Sequence, residues 1–498
     1  MPSKPPLPLD PSGFRLDPRQ GLARQLYQAL RERILDGRMA SRMRLPASRE
    51  LAEALGVSRN TVVRAYDQLY AEGYIDGRIG DGTYVAELGG GVPAAMPLAA
   101  QTQVPQPLRA RLQVHGPSAP REGPPRAFRL GLPALDLFPF EVWARLQAQF
   151  WRAPALECLG YGEAAGDSRL REMIAAYLRN ARGLRCTPEQ VLITSGAQQA
   201  ISLCAQLLLQ PGDGVVLENP CYRSAAQTFA VAGARLHGIA VDQDGLDTSR
   251  LAALSDCRLA YVTPSHQYPS GVTLSLARRL ELLEWAEREQ AWIVEDDYDG
   301  EYRYSGTPLA PLASLDRQGR VLYVGTFSKV IFPALRLGYL VVPPALVEPL
   351  AQLRTLNMRH SEIGTQAVLA EFIARGHFQR HIRRMRRAAR SRRDALLRDW
   401  PAAEAGVALA EVQAGLHVCV PLDSLARERE LIDKAASVGV ELSALSDHCL
   451  ADPGQPPRAG LVLGFAGVDE EQIASALAKL RRVWRRPRDG ARPAPDCA

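Results

Sequence analysis

A chain of 498 residues, 46% of them apolar, is too long for one ordinary domain and holds ample material for large buried cores, so two or three domains are expected. A net charge of +6 argues neither for nor against nucleic acid, because residues 1–88 carry 13 Lys or Arg against 11 Asp or Glu. Eight cysteines with no Cys-x-x-Cys pair, and no expected signal peptide, speak against disulfides and a zinc site and for a cytoplasmic protein; no apolar run approaches the roughly 20 residues that span a bilayer, so no membrane partner is expected.

The first domain is expected over residues 14–87. Ser48 can cap a helix Arg49–Leu55, Gly56-Val57 makes a turn, and Ser58 caps a second helix Arg59–Glu72, which is helix-turn-helix spacing. Leu51, Leu55, Val57, Val62, Tyr66 and Leu69 would form its core, leaving Arg59, Asn60, Thr61 and Arg64 toward base edges and phosphates. Ile75 to Val85, with Gly77, Gly80 and Gly82, reads as a hairpin wing that offers Arg78 and Thr83 to the minor groove or the backbone.

The runs Leu45-Pro-Ala-Ser-Arg49-Glu-Leu-Ala, Gly56-Val-Ser-Arg59-Asn-Thr61-Val-Val and Gly80-Asp-Gly82-Thr-Tyr-Val resemble the winged helix of GntR-family bacterial transcription regulators. The resemblance implies that Arg49, Arg59 and Arg64 meet double-stranded operator DNA with Thr61 and Gly82 close by. Winged helices also bind proteins, but arginines at both helix starts favour DNA. One such module buries only about 600–1,000 Å² on a duplex, so two half-sites and a dimer are expected.

Residues 88–127 have eight prolines between Gly89 and Arg126 and no apolar periodicity, the composition of a flexible linker. From 128 to 498, apolar β-rich runs (Val191–Thr194, Val215–Leu217, Leu236–Ala240, Leu259–Val262, Trp292–Val294, Val321–Gly325 and Gly338–Val342) alternate with helices such as Ser168–Arg182, Gln198–Leu209 and Leu276–Glu289. That pattern predicts an α/β fold with a mostly parallel sheet covered on both faces. A long helix, His377–Asp399, leads to a smaller α+β subdomain over about 400–486. His377 and His381 have i,i+4 spacing but sit among arginines without an acid, so they are expected at the surface and not on a metal.

Lys329 is one of four lysines; Lys4, Lys434 and Lys479 lie in a tail and on two polar helix faces. It follows the strand Val321–Gly325, where an α/β sheet presents ligands, and an amine there suits the aldehyde of pyridoxal phosphate. Asp296, after Trp292-Ile-Val-Glu295, would keep a pyridine nitrogen protonated; Glu295, Asp297 and Asp299 compete but suit structural hydrogen bonding. Tyr298 can reach the ring oxygen and Tyr222 can stack on the ring. Ser195-Gly196-Ala197-Gln198 turns a strand into a helix and can receive phosphate, and Arg336, with Thr326 and Ser328, adds the charge that a helix terminus alone lacks.

These blocks resemble the fold-type I aminotransferases from about residue 129 to 486. The resemblance implies Lys329 as the Schiff-base lysine, Tyr161 reaching the phosphate of a neighbouring subunit, and an obligate dimer. It departs at Pro264-Ser-His-Gln267-Tyr268-Pro269, where Tyr268 stands in place of an asparagine beside the ring, and the arginine for a substrate carboxylate is poorly placed, with Arg458 the candidate. With the winged helix and the run Gly376-His377-Phe-Gln-Arg380-His-Ile-Arg-Arg-Met385-Arg, the whole chain resembles the MocR/GabR-type regulators. That implies a head-to-tail homodimer in which pyridoxal phosphate, or an amine acting through it, controls amino-acid, amine or vitamin B6 genes. A working aminotransferase with a DNA-binding appendage is the alternative.

Overall fold

The computed structural model describes residues 13–78, 81–87, 123–254, 256–306, 309–451 and 456–485, and its chain forms two compact units, residues 1–105 and 106–498. Most of the expected linker, 88–122, and Gly80 of the wing lie outside the described residues.

The first unit holds α1 (Leu22–Leu35), α2 (Ser48–Leu55), α3 (Arg59–Ala71) and a hairpin of β1 (Ile75–Arg78) with β2 (Gly82–Val85), in register Ile75↔Val85 to Arg78↔Gly82. Leu26, Leu30 and Ile34, four apart on α1, bury against Leu51 of α2, Val62, Tyr66 and Leu69 of α3, and Ile75 and Val85 of the hairpin. Gly56 ends α2 at φ +66, a left-handed conformation that glycine adopts without a Cβ penalty. The Ser58 hydroxyl accepts the Thr61 N–H at 3.1 Å, as a cap should. Ser48 does not cap. It is the first helical residue; Ala47 is the N-cap, and the Glu50 carboxylate, one turn in, accepts the Ala47 N–H at 3.2 Å.

In the second unit eight strands form one sheet in the order β3-β10-β9-β8-β7-β4-β5-β6. They are β3 (Val191–Thr194), β4 (Gly214–Asn219), β5 (Arg235–Asp242), β6 (Gly245–Leu246), β7 (Cys257–Val262), β8 (Trp292–Asp296), β9 (Val321–Thr326) and β10 (Gly338–Val341). Pairing is parallel from β9 through β8, β7 and β4 to β5, whereas β10 runs antiparallel to both β3 and β9. The two-sided apolar runs have the expected cause. Val215 and Leu217 pack into one core with Ile201 and Phe229, while Val216 between them faces the opposite core with Leu282 and Trp285.

A second sheet, β11 (His417–Pro421), β13 (Gly460–Gly464) and β12 (Ser443–Ala444) in that order, is antiparallel and carries the smaller subdomain. It recruits a segment the sequence had placed elsewhere: Phe128 bridges to Gly464, and Arg129 pairs with Glu441 at 2.8 Å. The long helix His377–Asp399 forms as expected, but His381 is not a surface residue. It lies with Phe378, Ile382, Met385 and Ala389 on the buried stripe, edge-on to Phe138 at 5.3 Å, and burial pushes its imidazole down to about 4. No helix among the described residues is long and apolar enough to cross a membrane.

Candidate functional site

A cavity of about 360 Å³ opens where the parallel strands end. Thr263 follows β7, Asp296 ends β8, Thr326 ends β9, and all three line it with Lys329, Tyr222, Tyr268, Tyr298, Ser328, Arg336 and His417. Lys329 follows β9 by three residues and its Nζ donates to the Gly131 carbonyl at 2.9 Å. Burial holds this amine below the usual lysine range, against the pull of Asp299 and Asp296.

Of the four clustered acids only Asp296 reaches the cavity. Glu295 is consumed by the N–H groups of Leu312 and Ala313, at 2.7 and 2.8 Å. Asp297 is ion-paired with buried Arg182 and accepts the Tyr323 hydroxyl at 2.6 Å, and Asp299 faces His266 Nδ1 at 3.0 Å. Asp296 Oδ2 accepts the Tyr261 hydroxyl at 2.7 Å, but its Oδ1 is buried without a partner. Desolvation raises this carboxyl to about 7. A buried orphan acceptor calls for a donor from the cavity, which a protonated ring nitrogen would be, so the residues fit pyridoxal phosphate at this point.

Tyr298 lines the cavity, yet its hydroxyl is engaged at 3.0 Å with both the carbonyl and Nδ1 of His266. Tyr268 stands perpendicular to Tyr222 and to Tyr298, 5.8 Å between centroids in each case. Its loop is fixed by Gln267, whose amide donates to the Pro220 and Tyr268 carbonyls and to Glu218. Tyr222, at the start of the helix Arg223–Val231, leaves its ring as wall.

The helix Ala197–Leu208 begins at Gly196, φ +89, with no side-chain cap, and Ala197 and Gln198 line the cavity. Its uncapped N–H groups, with Thr326, Ser328 and Arg336 in the same cavity, can receive an anion. Ser195 departs from expectation: the Gln199 side chain takes its N–H at 2.7 Å and Arg336 takes its carbonyl at 2.8 Å, so it orients Arg336 without lining the cavity. Gln198 turns its amide to Thr228 at 2.5 Å.

Two expected residues lie elsewhere. Arg458 is exposed and donates to the Val241 carbonyl at 2.7 Å; it is not in the cavity wall, because it precedes β13 on the β5 side. Tyr161 is 82% exposed, with the Arg359 guanidinium 4.9 Å from its ring and His360 beside it; Leu156, Leu159, Leu356 and Met358, in the same two stretches of chain, are exposed too. The sequence reading missed Tyr261, His266, His417 and the Gly131 carbonyl. Alternation around Leu416, Val418 and Val420 could have put His417 on the face away from the core. His266, Asp299 and His417 offer metal-ligand atoms within 4.8 Å of one another. Hydrogen bonds already occupy them, including His417 Nε2 to the Pro269 carbonyl at 3.1 Å.

In the first unit Arg49, Arg59, Asn60 and Arg64 are exposed, and the three arginines form no ion pair among the described residues. Thr61 is half-buried, its hydroxyl tied to that of Ser58 at 2.8 Å and its N–H capped by the same residue. Gly82 sits at φ +128 beside the Arg44 guanidinium, an exposed cation not foreseen in the sequence. Arg78 ends β1, and its side chain lies outside what the structure describes.

Residues 129–480 match the family described as aminotransferase class I and II, and residues 22–85 match the bacterial regulatory proteins of the gntR family. The chain is 38% identical to the probable rhizopine catabolism regulatory protein MocR of Rhizobium meliloti, over 93% of each chain. It is 32% identical to the pyridoxine biosynthesis transcriptional regulator PdxR of Corynebacterium glutamicum, over 92% of this chain and 94% of that one. Among solved structures, a Pyrococcus horikoshii kynurenine aminotransferase in complex with PMP superposes with a TM-score of 0.66 at 28% identity, covering 79% of this chain and 98% of that chain. A winged helix of the gntR type fused to an aminotransferase domain, and relatives alike over nearly their whole length, place this chain in the MocR/GabR-type family of transcription regulators.

Proposed function

We propose that this protein is a cytoplasmic transcription regulator that binds pyridoxal phosphate and reads that cofactor, or an amine through it, to control amino-acid, amine or vitamin B6 genes. The observation that carries the reading is the convergence of a buried amine, an orphaned buried carboxylate oxygen and an uncapped helix start on one cavity, in a chain with a winged helix. Bound there, the cofactor supplies an aldehyde that condenses reversibly with amines. Lys329 would hold it covalently, Asp296 would keep its ring nitrogen protonated, and Tyr222 would cover a ring face. Tyr298 and Tyr268 bound the ring oxygen, while Gly196, Ala197, Gln198, Thr326, Ser328 and Arg336 hold the phosphate and Ser195 steadies Arg336.

The domains divide as reader (14–87), linker (88–127) and effector unit (128–498), paired head-to-tail so that two readers span two half-sites. The exposed apolar face with Tyr161, 82% open, is the surface this pairing covers. On the operator, Arg49, Arg59 and Arg64 neutralise phosphates or read bases, with Thr61, Arg78 and Gly82 at the edge of the contact. Release of Lys329 from the cofactor would bias the small subdomain relative to the large one, a two-state element through which a metabolite could shift DNA affinity. Lys329→Ala tests this directly. The variant is expected to fold, to lose the visible absorbance of covalently held cofactor, and to bind duplex from its own upstream region with no response to added amine. Ligand-dependent promoter control that survived in this variant would refute the mechanism.

A further inference from the structure

The charge inventory of the cavity narrows what kind of amine it takes. Among the described residues lining it, Lys329 and Arg336 are the only cations, and both are used by the cofactor on the reading above. Arg458 is held on the Val241 carbonyl, and Arg354 is buried between the Ile193 carbonyl and the Ser361 hydroxyl; neither lines the cavity.

The small-subdomain wall has the same character. In the register of β11 with β13, His417 pairs with Gly464 and Cys419 with Val462, so these four share one face, while Val418, Val420, Leu461 and Leu463 turn to the core. Of this face His417 lines the cavity while Cys419 and Val462 do not, and the Arg458 guanidinium near Cys419 is held on the Val241 carbonyl. His417, the member of this face that lines the cavity, stands 5.2 Å from Tyr268 and 4.9 Å from His266, and burial holds it neutral. Behind the wall stand the carboxylates of Asp296, Asp299 and Glu218, each almost wholly buried. A carboxylate on the incoming amine would be desolvated here with no cation among the described lining residues left to pair with it.

Building on the proposed function, we propose that the effector of this cavity is a primary amine whose remainder is polar but uncharged, such as an amino alcohol or amino polyol, and not an amino acid. The neutral imidazole of His417, whose Nε2 is held on the Pro269 carbonyl so that Nδ1 is its acceptor, and the Gly131 carbonyl, which would be relieved of the Lys329 hydrogen bond if that amine held the cofactor, offer acceptors to hydroxyl groups.

The test uses full-length protein loaded with pyridoxal phosphate and two matched pairs, 2-amino-1,3-propanediol against serine and ethanolamine against β-alanine, followed by cofactor absorbance and by affinity for duplex from its own upstream region. Within each pair the amino alcohol is expected to half-saturate at a concentration at least tenfold lower. His417→Phe is expected to lose most of that advantage, and His417→Arg to move preference toward the carboxylates. Equal or tighter response to serine and β-alanine in the wild type overturns the inference; if Arg359→Ala then abolishes that response, the missing cation is supplied across a subunit interface. Absence of any cofactor absorbance, or of any amine response, overturns the proposed function itself and this inference with it.

Discussion

Replacing Asp296 with Asn separates what this carboxylate does with and without cofactor. Asp296 is 4% exposed, one oxygen bonded to Tyr261 and the other to no protein group, and desolvation lifts it to about 7 from 3.8. The folded state then binds more protons than the unfolded state between about pH 4 and 7, so its stability falls as pH rises through that window and stays lower above it. A shift of this size corresponds to about 4 kcal/mol at pH 8. Asn keeps an acceptor for Tyr261 and removes the charge, so cofactor-free Asp296→Asn is expected to unfold at higher urea than wild type at pH 8, with the gap closing toward pH 4.

With cofactor the sign reverses. Asn cannot pair with a protonated ring nitrogen, and loss of one charge-assisted hydrogen bond, about 1.5–3 kcal/mol, weakens binding roughly 10- to 150-fold. Urea unfolding of both proteins at pH 5 and pH 8, with cofactor titration followed by absorbance, reads both effects. An Asn variant that binds the cofactor as tightly as wild type, or whose cofactor-free form gains nothing at pH 8, refutes the assignment.

Arg64→Ala and Arg59→Ala are expected to leave unfolding unchanged, because both side chains are exposed, while weakening duplex binding and reducing the salt slope of log affinity by about one each if they contact phosphates. Arg182→Met strands the Asp297 carboxylate inside the protein and should cost about 3–5 kcal/mol in urea unfolding, whereas replacing both partners with apolar residues of similar volume should recover most of it. At Gly415, φ +81, a Cβ would overlap the His266 ring, so Gly415→Ala should destabilise the protein and weaken cofactor affinity together. Gly439→Ala, at φ +71 with open space around it, should cost only about 1–2 kcal/mol of backbone strain and leave affinity alone.

The sequence by itself determined the elements and the chemistry carried on strand ends. The helices Ser168–Arg182 and His377–Asp399 begin and end where their periodicity says, and the strand run Trp292-Ile-Val identifies β8, because these signals are local. Lys329, Asp296 and Tyr222 were legible for a related reason: each follows an apolar strand closely, and parallel strands carry their ends to one edge. What only the tertiary structure decided depends on groups distant in sequence. His381 is buried because Phe138 comes to meet it, Arg458 is held away because β5 offers it a carbonyl, and Ser195 loses its N–H to the next turn of its own helix. The choice among the four acids near residue 296 was also tertiary, since Arg182, His266 and the Leu312 turn engage three of them, while Asp296 is the one that lines the cavity, with one oxygen that no protein group satisfies.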